Sequence, residues 1–334
     1  MPSAPAAVES RRLTRSLLVL ALALVAVLAL GACTGAKEGD PELPSGMLEA
    51  GLPDVDVSMA LYMSTGKPVA VPASMLGAQI DGSLPVVSIQ AVAADPVTDF
   101  AGRFVFADAT SAAVALTLAE QKVASDGAAW TLGSANAVML GHSTDAWGQA
   151  VQTAWVPPGA TQSPDVKAPE AWSTLRLLPE DVPGDAVAAG FATNVSAMVD
   201  RILESGDVSV SGLDSALSLV RVSTVAFAAY ADGLTTLPTE ATASGAAEAG
   251  AGVIAVAQAG YPGPIINMLL GQFAGRIGLE KVAVGGQDAY YKALEGGLHL
   301  YAVTYGATFY FAIAADQTQA EGLVGAVVRS QAAR

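Results

Sequence analysis

The sequence predicts an α+β protein made of two similar tandem domains, each a largely antiparallel sheet with packed helices. Short runs of alternating apolar and polar residues, bounded by turn residues, indicate half-buried strands. Four such elements recur in the same order in the two halves of the chain. The 334 residues are 52% hydrophobic and only 14% charged, a composition that excludes disorder and supplies enough apolar side chain for real cores.

The first two recurring elements are strands. In each half, a Leu-Pro-acid turn precedes an alternating run, and a second apolar run follows it. The first runs are residues 56–65 and 185–194, and the second runs are residues 88–95 and 226–232.

The third and fourth recurring elements each combine a strand with an apolar-faced helix. The third is found at 103–121 and 253–272, and the fourth at 136–154 and 308–327. In the last of these, Asp316 is predicted to cap the helix while the Gln319 side chain reaches back to it, at capping-box spacing.

The repeat is about 125 residues long, far too long for a solenoid, so it predicts two domains. We expect residues 48–155 and 174–334 to be these domains, joined by a proline-rich linker at 156–173. A low-complexity stretch at 239–252 is predicted to form a loop in the second domain. The uncharged segment 296–315 has alternation and a central glycine, and we interpret it as a buried hairpin rather than a membrane span.

The N-terminus has the organisation of an export signal. Arg11, Arg12 and Arg15 precede fifteen uncharged residues at 16–30. As a helix these residues span roughly 22 Å, which is short of a hydrocarbon core of roughly 30 Å. The segment is therefore predicted to be a signal peptide, residues 1–32, rather than a permanent transmembrane helix.

The signal ends in Leu30-Gly31-Ala32-Cys33, and Cys33 is the only cysteine in the chain. This sequence resembles the lipobox of bacterial lipoproteins. The resemblance implies that Leu30, Gly31 and Ala32 are recognised by the signal peptidase, and that Cys33 is acylated and becomes the mature N-terminus. Residues 33–47 then form a flexible tether. A plain secretory signal with an accidental cysteine and an uncleaved anchor are the alternatives.

The body is similar to tandem α+β domains of unknown function in exported bacterial proteins. We therefore expect a lipid-anchored extracytoplasmic binding or interaction protein without a catalytic site of its own. Its partners are expected to be the membrane, through the lipid, and an unknown envelope protein or small ligand. A solute-binding lipoprotein of a transporter is the alternative, and an envelope hydrolase is a weaker one.

The charge balance argues against a nucleic-acid partner. The formal net charge is -15, and the sequence contains no basic stripe that would displace the counterions of a phosphate backbone.

Some short motifs match catalytic or cofactor-binding patterns, but the elements predicted around them do not fit those functions. Ser64 and Lys67 have the S-x-x-K spacing of serine β-lactamases, but a predicted strand ends at this serine, where the chemistry needs a helix to begin. Gly250 and its neighbours precede a predicted strand, whereas the glycines of a dinucleotide site follow one. His142 and His299 are the only histidines and lie in different halves, so no metal site and no cofactor are expected.

Tyrosines are concentrated near the C-terminus. Alternation places Tyr301, Val303 and Tyr305 on one face of a strand. Since tyrosine offers a flat apolar ring and a hydroxyl, Tyr301 and Tyr305 are candidates for a ligand face, with core packing as the alternative.

Substitution of Cys33 tests the lipid anchor. Cys33→Ala is expected to abolish acylation and to leave residues 1–32 attached, because the peptidase acts on the acylated cysteine. Intact-mass analysis of membrane-extracted protein measures both changes. An unmodified thiol with the signal still attached in the natural sequence would contradict the lipoprotein prediction.

Overall fold

The computed structural model describes the following residues: 55, 57–73, 82–95, 98–124, 129–143, 146–155, 178–179, 181–193, 222–237, 250–259, 268, 274, 278–294, 297–306 and 308–333. They form an α+β fold with a large antiparallel sheet and three helices with defined bounds. The lipobox residues Leu30, Gly31, Ala32 and Cys33, the tether and the proline-rich linker lie outside the described residues. No described helix is long and apolar enough to cross a membrane.

The described strands and helices group into two compact units. The first unit contains β1 Met59–Pro72, β2 Ser83–Asp95, β3 Asp99–Phe106, α1 Ala109–Val123, β4 Ala129–Ser134, β5 Ala137–His142 and α2 Ala146–Trp155. Its strands are ordered β4-β5-β3-β2-β1, and every neighbouring pair is antiparallel.

A short segment from later in the chain also belongs to the first unit. The amide of Ala70 in β1 donates to the carbonyl of Thr235 at 2.8 Å, and the amide of Leu237 donates back to the carbonyl of Ala70 at 2.9 Å. Leu237 is buried. The segment therefore combines backbone pairing with an apolar anchor.

Helix α1 begins at an aspartate cap. The Asp108 carboxylate accepts hydrogen bonds from the Ser111 amide at 2.7 Å and from the Ser111 hydroxyl at 2.9 Å. These two bonds lower the pKa of Asp108, because they stabilise its charged form. The cap also satisfies an amide that has no partner within the helix.

Glycines let side chains approach the sheet of the first unit closely. A Cβ at Gly133 would lie 2.6 Å from a methyl of Leu116 in α1. A Cβ at Gly141 would overlap the Trp130 indole, whose nitrogen also lies against Gly148 of α2. Glycine at these positions therefore sets how closely helix and indole pack.

The second unit is a seven-stranded antiparallel sheet with one described helix. It contains β6 Asp185–Thr193, β7 Val222–Ala231, β8 Ala251–Ala259, β9 Glu280–Val284, β10 Gln287–Ala293, β11 His299–Tyr305, β12 Thr308–Ala314 and α3 Gln317–Ala332. The strand order is β6-β7-β8-β12-β11-β10-β9.

Two hairpins with glycine turns form one end of this sheet. Gly285 and Gly286, with φ of 58° and 80°, join β9 to β10, and Gly306, with φ of 59°, follows β11. Glycine adopts these positive φ values without steric cost. The β11–β12 pair confirms the hairpin predicted at 296–315.

The sheet ends in a short strand that carries charge. In the β9–β10 hairpin, Lys281 and Asp288 form an exposed ion pair at 2.6 Å. Glu280, the first residue of β9, is also exposed. Charge of this kind is typical of terminal strands.

Helix α3 begins as predicted at Asp316, whose carboxylate accepts from the Gln319 amide at 2.8 Å. The prediction that the Gln319 side chain returns to Asp316 is wrong. Its Nε2 donates instead to the carbonyl of Gly250 at 2.9 Å, just before β8. The glutamine thus fixes α3 to the sheet rather than closing a local capping box.

Most of the predicted elements are present, with shifted bounds. The runs at 56–65, 88–95, 185–194 and 226–232 correspond to β1, β2, β6 and β7. Of the predicted loop at 239–252, only the last three positions are described, and β8 already begins at Ala251. The helix expected in the later part of 253–272 lies largely outside the described residues. Strands β4, β9 and β10 were not predicted.

Gly252 tests the packing of α3 on the sheet. A Cβ there would lie 2.5 Å from a methyl of Leu323 and 3.4 Å from the Cβ of Ala314, and Leu323 is fully buried. Gly252→Ala is expected to lower the free energy of unfolding by about 1–3 kcal/mol through overpacking. Urea denaturation measures the change.

Gly322 in α3 supplies the matched control. A Cβ at Gly322 would meet only Pro183, at 3.8 Å. Gly322→Ala is expected to be neutral or stabilising by up to about 1 kcal/mol through helix propensity. Equal destabilisation by the two variants would contradict this account.

Candidate functional site

The predicted tyrosine face lies under helix α3. Cross-strand pairing of Tyr301 with Ala312 and of Tyr305 with Thr308 places these residues on one face of the β11–β12 hairpin. Gln317 at the start of α3 donates from Nε2 to the Tyr301 hydroxyl at 3.2 Å. We call this side the helix-covered face.

The two candidate tyrosines differ in accessibility. Tyr301 is only 3% exposed, so its ring is part of the packing between sheet and helix. Tyr305 is partly exposed and meets Tyr310 edge to face, with ring centroids 6.3 Å apart. A ligand that approaches this face would therefore reach Tyr305 directly and Tyr301 only through its neighbours. Ligand contact by either residue stays a prediction.

Two further side chains join Tyr301 in a connected group. The hydroxyl of Tyr291 in β10 lies 2.9 Å from Nδ1 of His299 in β11. The Tyr291 ring also contacts the Tyr301 ring, with centroids 4.9 Å apart and planes tilted by 45°. We define Tyr291, His299, Tyr301 and Gln317 as the tyrosine–histidine cluster.

The strand register explains why the cluster forms. Tyr291 pairs directly with Tyr301, and His299 precedes Tyr301 by two positions, so all three side chains project from the same face. Tyr291 and His299 are half-buried, and Gln317 is exposed. The cluster therefore borders solvent beside the first turn of α3.

The buried member of the cluster has a shifted acidity. Burial raises the pKa of the Tyr301 hydroxyl, because the phenolate would lose hydration. The nearby Glu321 carboxylate raises it further, while the hydrogen bond from Gln317 opposes the shift. Tyr301 is thus a neutral group at physiological pH.

The cluster brings several kinds of ligand-binding group together. It offers aromatic ring faces, an amide, an imidazole and phenol hydroxyls within a small area. No group of three or more His, Cys, Asp or Glu side chains among the described residues is placed to hold a metal ion. Aromatic surface with a few fixed polar groups is the usual lining of small-ligand sites.

The other histidine lies in a polar network at one end of the first unit. Ser143 donates its hydroxyl to Asp99 at 2.6 Å, and Thr98 donates to the second oxygen of the same carboxylate at 2.7 Å. His142 Nδ1 lies 3.0 Å from the carbonyl of Thr98, and its ring lies against Phe100. The Ser143 hydrogen thus points to a carboxylate, an arrangement that joins β5 to the start of β3.

The strand predicted to end at Ser64 continues to Pro72, so Ser64 and Lys67 both lie within β1 and no helix begins at this serine. Gly250 precedes β8 rather than following a strand.

Sequence reasoning missed the contact between Tyr291 and His299. The Gly285-Gly286 pair between two apolar runs was a usable hairpin signal, and it would have identified β9 and β10. With β10 identified, Tyr291 still needs the register against β11 before its neighbours can be named.

Comparisons with known proteins identify no relative in sequence. No family matches the chain, and no curated protein matches it significantly. Among solved structures, crystal form I of TP0453 is distantly similar, with 8% sequence identity and a TM-score of 0.31. The match covers 82% of this chain and 94% of that one. A similarity of this size transfers no function.

Ionisation of Tyr301 gives a testable pH dependence. Because its pKa in the folded protein is above the ordinary tyrosine value of 10.0, unfolded chains lose this proton first as pH rises, and stability falls. As the pH rises from about 8 to about 11, the free energy of unfolding is expected to fall less for Tyr301→Phe than for the natural protein. Urea denaturation at both pH values measures the difference. Equal losses in the two proteins would show that Tyr301 does not contribute.

Proposed function

We propose that the protein is a lipid-anchored extracytoplasmic binding protein without a catalytic site of its own. The export signal ending at Cys33 supports the location. The tyrosine–histidine cluster carries the binding assignment, because it places aromatic rings and hydrogen-bonding groups together at a solvent border.

Strand pairing weighs against a solute-binding lipoprotein of a transporter. That class requires parallel βαβ lobes, whereas the strand pairs that build each described sheet are antiparallel. A hydrolase requires a nucleophile activated by a base. Ser143, which directly follows His142 in the sequence, donates its hydroxyl to the Asp99 carboxylate, which also accepts from Thr98 and so links β5 to the start of β3.

We further propose that the body arose by tandem duplication. The sequence repeat equates β1, β2, β3 and β5 with β6, β7, β8 and β12. With β4 equated to β11, the order β4-β5-β3-β2-β1 of the first unit becomes β11-β12-β8-β7-β6, which is the order found in the second. The strands that the sequence repeat pairs with one another also have the same neighbours in the two sheets, which supports a common origin of the two units.

The duplication singles out one part of the second unit. The β9–β10 hairpin extends the sheet beyond β11 and has no equivalent in the described first unit. Tyr291 lies on this extension. The proposed binding site therefore depends on structure that the second unit adds to the shared plan.

A thermal-shift experiment tests the binding function. Full-chain protein is titrated with low-molecular-weight fractions of the envelope. A ligand at about 100 times its Kd stabilises by about 2.7 kcal/mol and raises Tm by several degrees. We expect such a shift from at least one fraction, and we expect Tyr291→Ala to abolish it.

Tyr290→Ala is the matched control, because Tyr290 neighbours Tyr291 on the same strand but points to the other face. It is expected to keep the shift. The proposal is wrong if no fraction raises Tm, or if Tyr291→Ala responds as the natural protein does.

A further inference from the structure

The shape of the cluster indicates what kind of ligand it fits. The Tyr291 and His299 rings are nearly parallel, with planes 13° apart and centroids separated by 6.0 Å. Their hydrogen bond joins the phenol oxygen to a ring nitrogen, that is, edge to edge. Because the rings are nearly parallel and a hydrogen bond joins their edge atoms, they are displaced sideways from one another, and we call their adjacent ring faces the flat surface.

Neighbouring groups hold this surface in place. The buried Tyr301 ring packs against Tyr291 at 4.9 Å, and the Gln317 amide holds the Tyr301 hydroxyl. Because Tyr301 is fixed between the sheet and α3, Tyr291 needs little reordering before a ligand binds. Binding to a preorganised surface costs less side-chain entropy.

Polar groups border the flat surface on the helix side. Gln317 and Glu321, both exposed on the first turns of α3, supply an amide and a carboxylate close to Tyr301. A purely apolar ligand would leave these groups without new hydrogen bonds. An anionic ligand would meet the Glu321 carboxylate and a chain of net charge -15.

A neutral sugar satisfies all of these conditions. One side of a pyranose ring presents C–H groups that pack flat on an aromatic ring, while its hydroxyls at the rim donate and accept hydrogen bonds. Amide and carboxylate side chains pair well with such hydroxyls. A flat nucleobase matches the rings, but the phosphate of a nucleotide does not match the charge.

We propose that the Tyr291–His299 surface binds a neutral pyranose unit of a glycan, with Gln317 and Glu321 bonding to its hydroxyls. This rests on the proposed binding function and names its ligand class. An extracytoplasmic location would bring the site close to cell-envelope glycans.

Saturation-transfer NMR on the full-chain protein tests the inference with chitohexaose, cellohexaose and maltohexaose as probes. At least one is expected to bind, with the strongest saturation on the ring C–H protons of one face. Tyr291→Ala is expected to weaken binding at least about tenfold. Gln317→Ala is expected to weaken it several-fold.

Two further variants distinguish a loss of binding from a loss of folding. Tyr291→Phe keeps the ring and removes only the hydroxyl, so we expect at most about a threefold loss. Tyr290→Ala is expected to bind as the natural protein does. Binding that persists unchanged in Tyr291→Ala, or a Tyr291→Phe loss as large as that of Tyr291→Ala, would overturn the ring-stacking assignment.

Failure of the sugar inference is distinguishable from failure of the proposed function. If none of the three oligosaccharides binds, the glycan inference is wrong. A Tyr291-dependent thermal shift with an envelope fraction would then still support a binding protein with another ligand class.

Discussion

The packing of α3 against its sheet is the contact on which the rest of the second unit depends. Gly252 leaves room for Leu323 to reach the strands, Asp316 fixes where the helix begins, and Gln319 bonds to the chain just before β8. The same contact buries Tyr301 and positions Gln317 over it. The position of α3 therefore determines the geometry of the site, since a displaced helix would expose Tyr301 and remove the Gln317 amide from its hydroxyl.

Sequence periodicity predicted the elements whose patterns are local. Alternation identified β1, β6 and the β11–β12 hairpin, and an aspartate at capping distance identified the start of α3. Contacts between elements were less accessible. Gln319 has the spacing of a capping box, yet in the folded protein its side-chain amide donates to the carbonyl of Gly250. Likewise, Tyr291 and His299 are eight residues apart, and only the register of β10 against β11 brings them together.

The proposed duplication, followed by a local extension, would account for the two units. The neighbour order of five strands in one unit matches that of five strands in the other, which supports descent from one ancestral domain. The β9–β10 hairpin then extends one copy beyond the shared strands. Strands added at the end of a sheet pair with its last strand only. New side chains can therefore be added for ligand binding without rearranging the strands already present.

The short terminal strand β9 has a consequence for crowding. On the proposed lipid anchor, molecules of this protein would meet at high local concentration, where unpaired strand edges favour pairing into extended sheets. Glu280 and the Lys281–Asp288 ion pair place charge along this border, and five residues offer few backbone groups to a neighbour. Molecules of this kind can be packed densely side by side while remaining individually dispersed.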